Sequence, residues 1–238
     1  MDTKSGSGLK PMWIIFGIAN GFCIITLWLH AAITIPSLNM WFYTWQFGVN
    51  DTYTTVNMLP EHLHEVTYHM IRYMRGQEPY LQIMTLVGGQ ERYFFSHIEI
   101  RHMVDVYDLL AFRFPARNIA LTLAVLTLAA FSIWTSGRKQ LKYLFKSWQI
   151  ASLATLGAFV VLVVTIAINW HRAFVIFHEI LFNNDYWILD PQVDLLINIV
   201  PYDFFITISI FIGVFFAVGL AIMLAISTML LRRVKSLS

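Results

Sequence analysis

The chain has 238 residues, of which 58% are hydrophobic and 13% are charged, with a mean hydropathy of +0.62 and a net charge of +2. A soluble domain carries about a quarter charged residues, so this composition excludes one and indicates an integral membrane protein. The single cysteine, Cys23, excludes a disulfide framework, and no stretch combines basic and aromatic residues as nucleic-acid-binding segments do.

Four apolar stretches are long enough to cross a hydrocarbon core of about 30 Å at about 1.5 Å per residue. We predict spans at about 12–35, 116–135, 150–169 and 204–231. The first has neither the short apolar core nor the small-residue cleavage site of a signal peptide, so we expect it to be retained. The predicted fold is mainly α, a single polytopic membrane domain over 1–238. It has four transmembrane helices and an extracytoplasmic cap of short helices with a small β-hairpin.

The charges predict which side of the membrane each segment occupies. The lysines lie in the two terminal tails and in the loop at 136–149: Lys4, Lys10, Lys139, Lys142, Lys146 and Lys235. Every acidic residue except Asp2 lies in the other two connecting segments, 37–114 and 170–203. The positive-inside rule therefore predicts cytoplasmic termini and two extracytoplasmic segments.

The first of these segments opens with Trp41, Phe42, Tyr43 and Trp45, which indicate a group of aromatic side chains at the membrane interface. Residues 57–75 then predict an amphipathic helix that ends at Gly76, with its apolar stripe formed by Leu63, Val66, Met70, Tyr73 and Met74. The stretches 79–87 and 91–95, joined by a Gly88-Gly89-Gln90 turn, predict a hairpin.

Two sequence patterns predict that a helix begins directly after the hairpin. Ser96 and Glu99 have the S-x-x-E spacing of a capping box, with Phe95 and Ile100 at the positions of a hydrophobic staple. One turn later, His102 and Asp105 are spaced i, i+3 and can touch. Such a pair suits a general base, a metal ligand or an ordinary solvated helix edge, and the residues alone leave these readings open.

The second extracytoplasmic segment also carries histidines on a helix. His171 and His178 lie two turns apart on one face, and Asn183-Asn184-Asp185 ends the helix. Asp190 followed by Pro191 predicts the start of a short helix that runs to about Ile199. Two separate segments thus each offer a histidine beside carboxylates.

The chemistry these residues permit excludes several hydrolase types. The sequence has no G-x-S-x-G, no cysteine outside the spans and no H-E-x-x-H. Histidine with a carboxylate and an arginine for developing negative charge (Arg101, Arg113 or Arg172) can carry acyl transfer if the substrate brings its own nucleophile. A metal site built from His102, Asp105, His171 and His178 is the alternative.

Two motifs resemble a known family. FSHIEIRHMVDV at 95–106 and FHEILFNNDYWILDP at 177–191, followed by Asp194 and Pro201, resemble the lipoprotein intramolecular transacylases of low-GC Gram-positive bacteria. The resemblance covers nearly the whole chain, including four spans with both termini inside. It implies catalytic roles for His102 and His178. The supporting residues that it implies are Asp105, Glu99, Asn184 and Asp190.

The resemblance implies an acyltransferase of the bacterial cytoplasmic membrane that acts without a cofactor at the outer leaflet. It would move the sn-2 acyl chain of an S-diacylglyceryl-cysteine to the α-amine of the same cysteine, giving a lyso-form lipoprotein. The expected partners are diacylated lipoproteins and membrane lipids, with no nucleic acid. We assign His102, held by Asp105, as the base, and His178 or an arginine (Arg101 or Arg172) as oxyanion stabiliser, although the reverse assignment of the histidines fits equally.

Two other functions fit the same residues without the resemblance. One is a metal-dependent membrane hydrolase of lipids or peptides that uses the same histidines as ligands. The other is a non-enzymatic membrane sensor in which the His/Asp pairs are structural caps or a pH switch.

Overall fold

The computed structural model describes residues 10–134 and 138–236, so the predicted cytoplasmic tail around Lys4 and part of the basic loop lie outside the described residues. The helices within these ranges are α1 (Lys10–Ser37), α2 (Met40–Val49), α3 (Thr52–Thr55), α4 (Pro60–Met74), α5 (His97–Ala111), α6 (Arg113–Trp134), α7 (Arg138–Ile168), α8 (Trp170–Leu181), α9 (Leu196–Ile199) and α10 (Tyr202–Ser236). Two antiparallel strands, β1 (Met84–Val87) and β2 (Gln90–Tyr93), form a hairpin.

Four helical stretches among the described residues are long and apolar enough to cross a membrane. They are Met12–Ser37, His97–Ile133, Leu141–Ile168 and Tyr202–Ser236. The second runs through α5 into α6, but α5 carries Glu99, Arg101, Asp105 and Asp108, so the apolar part is α6. The predicted mainly helical membrane fold is confirmed.

The described residues form two compact units. The first contains α1 up to Ala31, the stretch Pro115–Asn169 and α10 from Val214 onwards. Its helices are joined by a buried polar node at Asn20, whose side chain is fully buried. The Asn20 amide donates to Ala124 O at 3.0 Å and to Thr127 Oγ1 at 2.7 Å, and Trp148 Nε1 donates to Asn20 Oδ1 at 3.0 Å. Asn20 thus links α1 to both α6 and α7.

Replacing Asn20 with leucine should destabilise this unit. The change removes three inter-helix hydrogen bonds and leaves the Trp148 N–H without its acceptor, at a cost of about 1 kcal/mol for a polar contact between membrane helices. Thr165→Val is the matched control, because its hydroxyl bonds only to Val161 O within α7. We expect a lower thermal midpoint in detergent for Asn20→Leu than for Thr165→Val; equal midpoints would show that the node adds no stability.

The second unit spans Ala32–Phe114 and Trp170–Gly213, and its core forms around α4. The apolar stripe predicted for this helix is confirmed as buried: Leu63, Val66, Met70, Tyr73 and Met74. The predicted start at residue 57 is wrong, since α4 begins at Pro60, after Leu59 in an extended conformation. Asn57 has a φ of 51°, which is outside the right-handed helical region. Leu59 comes directly before Pro60, and a residue before proline avoids the helical region. Gly76, with φ of 72°, ends the helix as predicted.

Other elements complete the core of the second unit. In α2, Phe42 and Tyr43 are buried, whereas Trp41 and Trp45 are about half exposed. The predicted hairpin turn is narrower than expected, because Gln90 pairs with Val87 and only Gly88 and Gly89 form the turn. Both glycines have positive φ, which suits a two-residue hairpin turn.

The helix predicted to start at Asp190 is wrong. Residues 191–193 form a turn, and α9 covers only Leu196–Ile199. The Asp190 carboxylate does accept from Gln192 N at 2.9 Å, as an N-cap does, and Asp194 N donates to Asp190 O at 2.8 Å, but this single turn is not continued as a helix. The Asp190 N–H donates to the Asp194 carboxylate at 2.9 Å, which makes Asp194 the acceptor that shapes this turn.

Candidate active site

The start of α5 is built as the sequence predicts. Ser96 is the N-cap, with its hydroxyl accepting from Glu99 N and the Glu99 carboxylate accepting from Ser96 N. The predicted capping box is confirmed. Phe95 is buried, and Ile100 packs against the same core cluster. This fixed start determines which face of α5 the following residues occupy.

The structure brings the two predicted catalytic histidines together. The ring centroids of His102 on α5 and His178 on α8 lie 6.1 Å apart. Phe182 contacts both rings, with centroid distances of 5.5 Å to His102 and 5.7 Å to His178. Trp187 stacks on His178 at 4.7 Å. Two imidazoles therefore share one largely aromatic environment.

The tautomer of His178 is fixed by its own helix. Its Nδ1 lies 2.7 Å from Phe174 O, and a carbonyl oxygen can only accept, so Nδ1 carries the hydrogen. The neutral ring therefore has its lone pair on Nε2. The residue is buried, with 5% of its surface exposed, and burial lowers its pKa, against the opposing effect of the bond to Phe174. At neutral pH His178 is a neutral ring with a proton-accepting nitrogen.

His102 is neutral as well. Burial, followed by the nearby His178, lowers its pKa to about 4, while the Asp105 carboxylate opposes this shift. Within the described part of the chain, no hydrogen-bond partner reaches its buried Nδ1. A neutral histidine whose N–H is not committed to the protein can donate to a substrate oxygen.

Asp105 does not hold His102 in the way predicted. Its Oδ2 accepts from Asn184 Nδ2 at 2.9 Å, and Asn184 Oδ1 in turn accepts from Tyr186 N at 3.0 Å. A cavity of about 250 Å³ lies beside this pair, lined by Asp105, Asp108, Leu109, Leu181, Phe182, Asn183 and Asn184. Asp105 thus acts on His102 through its charge and fixes the 184–186 turn through its hydrogen bond.

Glu99 belongs to a buried carboxylate network rather than to the histidine pair. With 1% of its surface exposed, it accepts from the backbone N–H groups of Ser96 and Leu196. Burial raises its pKa, and these two bonds oppose the shift. Beside it, Ser96 Oγ donates to Asp194 Oδ1 at 2.9 Å. This network ties α5 to the segment around residues 190–196.

Of the arginines predicted as oxyanion donors, Arg101 and Arg172 are exposed and Arg113 is partly buried. The Arg101 guanidinium is exposed, and its carbon lies 6.0 Å from the Tyr186 ring centroid. Arg172 is exposed in the first turn of α8. Arg113 donates to Leu110 O at 2.6 Å and lies over Phe114. These positions favour a histidine N–H as the donor to an oxyanion.

The metal-site alternative is not assembled in the structure. His171 lies against Tyr202, with ring centroids 6.3 Å apart, rather than beside the His102–His178 pair. In the part of the chain that the structure describes, no three histidine, cysteine, aspartate or glutamate side chains come close enough to hold a metal ion.

Two aromatic neighbours of the histidines were not singled out from the sequence. Phe174 and Phe182 both contact the His178 ring, at centroid distances of 4.3 and 5.7 Å. Phe174 lies four residues before His178 on α8, and Phe182 lies four residues after it, just past the end of α8, so the i, i+4 rule for helix faces could have identified them. Asp194 was recognised only as a motif position, and its partner Ser96 lies 98 residues away.

Comparisons with known proteins give the class of the chain. A family model described as lipoprotein intramolecular transacylase Lit matches residues 18–205. A solved structure of the membrane-integral lipoprotein intramolecular transacylase Lit from Bacillus cereus is similar, with a TM-score of 0.76 and 21% identity over 95% of this chain and 99% of that chain. A structure of that enzyme with one histidine replaced by alanine has a TM-score of 0.69 and 21% identity, over 95% of this chain and 96% of that chain. No match is found among curated proteins.

Proposed function

This chain belongs to the lipoprotein intramolecular transacylase family, and from that membership we propose that it moves an acyl chain within one lipoprotein molecule. The donor is the sn-2 ester of the S-diacylglyceryl group on the N-terminal cysteine, and the acceptor is the α-amine of that cysteine. The product is the lyso-form lipoprotein, with one ester-linked and one amide-linked chain. The resemblance seen in the two sequence motifs is confirmed as a family relationship.

The observation that carries the proposal is a pair of neighbouring neutral imidazoles, with His178 buried, His102 partly buried and the tautomer of His178 fixed. The substrate supplies both nucleophile and ester, so the protein needs no nucleophile of its own. What it must supply is a proton acceptor for the amine, a donor for the oxyanion and a fixed orientation of the two reacting groups.

We assign the base to His178. The neutral amine nitrogen attacks the sn-2 carbonyl carbon, and as the C–N bond forms, His178 Nε2 accepts one N–H proton. The bond between the carbonyl carbon and the glycerol oxygen then breaks, and the same proton passes from Nε2 to that oxygen. The hydrogen bond from His178 Nδ1–H to Phe174 O supports this assignment, because it leaves Nε2 as the basic nitrogen.

We assign the oxyanion donor to His102. Its lowered pKa keeps the ring neutral, and a neutral imidazole N–H can donate to the tetrahedral oxyanion without giving up its proton. Its buried Nδ1 has no hydrogen-bond partner among the described residues, which leaves the ring able to reorient toward substrate. This reverses the roles first assigned from the sequence, where either order fitted.

We place the reaction at the outer leaflet of the cytoplasmic membrane. The lysine distribution supports this location, since both segments that carry the site are acidic and lack lysine. The proposed substrates are diacylated lipoproteins whose lipid-modified N-termini lie at that surface.

Mass spectrometry of a lipoprotein's N-terminal lipopeptide tests the function. The lipoprotein is produced in a host that otherwise leaves it diacylated, with and without this protein. We expect an unchanged total mass, with fragmentation that places one acyl chain on the amine only when the protein is present. Unchanged fragmentation would contradict the transfer, and loss of a whole acyl mass would show hydrolysis instead.

A further inference from the structure

The segment 184–196, which we name the belt, is attached to α5 at two places. At one end, Asn184 Nδ2 donates to Asp105 Oδ2 at 2.9 Å. At the other end, Ser96 Oγ donates to Asp194 Oδ1 at 2.9 Å, and Leu196 N donates to the Glu99 carboxylate. The belt therefore runs antiparallel to α5, with its beginning at the later part of the helix.

The two attachments lie on either side of His102 on α5. On α5, Glu99 lies three residues before His102 and Asp105 three residues after it, which is nearly one helical turn on either side. On the belt, Trp187 lies between the attachments and stacks on His178 at 4.7 Å. The belt is thus fixed to the helix that carries one histidine and covers the ring of the other.

Asp194 accepts hydrogen bonds at both carboxylate oxygens and at its backbone oxygen. Its side chain is buried, with 6% of the residue exposed, although a carboxylate is costly to bury unless it is hydrogen-bonded. Both oxygens have donors, since Oδ1 accepts from Ser96 and Oδ2 accepts from Asp190 N at 2.9 Å. Its backbone oxygen accepts from Asn198 Nδ2 at 2.9 Å. None of these contacts involves a histidine, so Asp194 takes no part in the chemistry proposed above.

We propose that Asp194 is a positioning residue for acyl transfer, which through Ser96 anchors the belt to α5 and thereby sets the spacing of His102 and His178. The proposal rests on the proposed function. A shift of about 1 Å at a reacting centre can cost about a hundredfold in rate, so loss of one anchor is enough to slow the reaction strongly.

Asp194→Asn is the main test. Asparagine keeps the size but replaces one carboxylate oxygen by an NH2 group, which can only donate, so either the Ser96 hydroxyl or the Asp190 N–H loses its acceptor. In a single-turnover lipopeptide assay we expect a rate about 10- to 100-fold below that of the parent protein. Asp185→Asn is the matched control, because Asp185 is an exposed acid on the same belt, and it should keep the parent rate.

A second readout separates positioning from simple loss of fold. Trp187 of the belt covers the His178 ring, which also faces His102 at 6.1 Å, and burial is the largest cause that lowers the His178 pKa. A loosened belt exposes His178 to water, so the pH at which its protonation slows the reaction should move up toward the ordinary histidine value of about 6.5. A rate loss in Asp194→Asn that follows only the lost folded fraction, with this pH unchanged, would overturn the proposal.

Ser96 provides a test that does not alter the acid. Ser96→Ala removes both the donor to Asp194 and the helix cap on Glu99 N, whereas Ser96→Thr keeps a hydroxyl for both contacts and should restore most of the rate. The double variant Ser96→Ala with Asp194→Ala should lose less than the product of the two single losses, because both changes remove the Ser96–Asp194 hydrogen bond. Additive losses would refute a shared anchor. Absence of transfer by the parent protein would instead contradict the proposed function.

Discussion

Replacing His178 by either asparagine or glutamine should lower the rate of acyl transfer by at least about a hundredfold, the usual contribution of a general base. Asparagine retains an amide N–H close to the position of Nδ1, and glutamine retains one close to Nε2. Neither has a basic nitrogen, so neither can accept the proton of the attacking amine. The measurement is the single-turnover rate of amide formation, followed by fragmentation of the N-terminal lipopeptide.

The same two substitutions at His102 should differ from one another. If His102 donates an N–H to the oxyanion, glutamine can replace the Nε2–H and should retain more activity than asparagine, whose loss should be about 100- to 1000-fold. Equal and complete losses for both His102 variants, with residual activity in a His178 variant, would reverse the two roles. His97→Asn is the control, since His97 is an exposed histidine on the same helix.

The pH dependence of kcat/KM should reflect the α-amine and both histidines. The α-amine must be neutral to attack and has an ordinary pKa of about 7.7–8.0, so the rate should fall about tenfold per pH unit below that value. The base His178 must also be neutral, and burial lowers its pKa, so its protonation should steepen the slope only below its ordinary value of about 6.5. His102, with its pKa lowered to about 4, should add a further steepening only near pH 4. A steepening at or above pH 6.5 would show that burial does not lower the histidine pKa values in the working enzyme.

Asp105 offers a direct check on the cause of that step. Its carboxylate raises the His102 pKa against the larger effect of burial, so Asp105→Asn should move the steep step to still lower pH.

The lowered pKa of His102 also affects stability. Because its folded-state pKa lies below the unfolded value, the free energy of unfolding falls as the pH drops from about 6.5 toward 4. The rates must therefore be compared at a temperature well below the midpoint of unfolding at every pH.

The parts of the site that depend on residues close to one another in the sequence could be predicted from the sequence. The capping box of Ser96 and Glu99 involves residues three apart, and the S-x-x-E pattern specified it fully. The four spans and the mainly helical class follow from apolar runs of sufficient length. Such features need no knowledge of how distant segments pack.

The parts that depend on distant partners could not be predicted. The i, i+3 spacing suggested that Asp105 would bond to His102, but Asn184, 79 residues away, takes that carboxylate. Asp190 before Pro191 looked like a helix start, but the Asp194 carboxylate accepts the Asp190 N–H and the chain turns instead. The 6.1 Å approach of His102 to His178 likewise results from packing between α5 and α8, which no local pattern encodes.

The carboxylates around the site also determine how the enzyme should respond to ionic strength. The buried Glu99 and Asp194 and the partly buried Asp105 accept hydrogen bonds from neutral donors, namely the Asn184 amide, the Ser96 hydroxyl and backbone N–H groups, rather than from lysine or arginine. Salt screens interactions between exposed charges far more than it weakens buried hydrogen bonds to neutral groups. At the outer-leaflet location proposed above, where salt concentrations vary with the surroundings, the enzyme would thus keep the geometry of its site across a wide range of salinity.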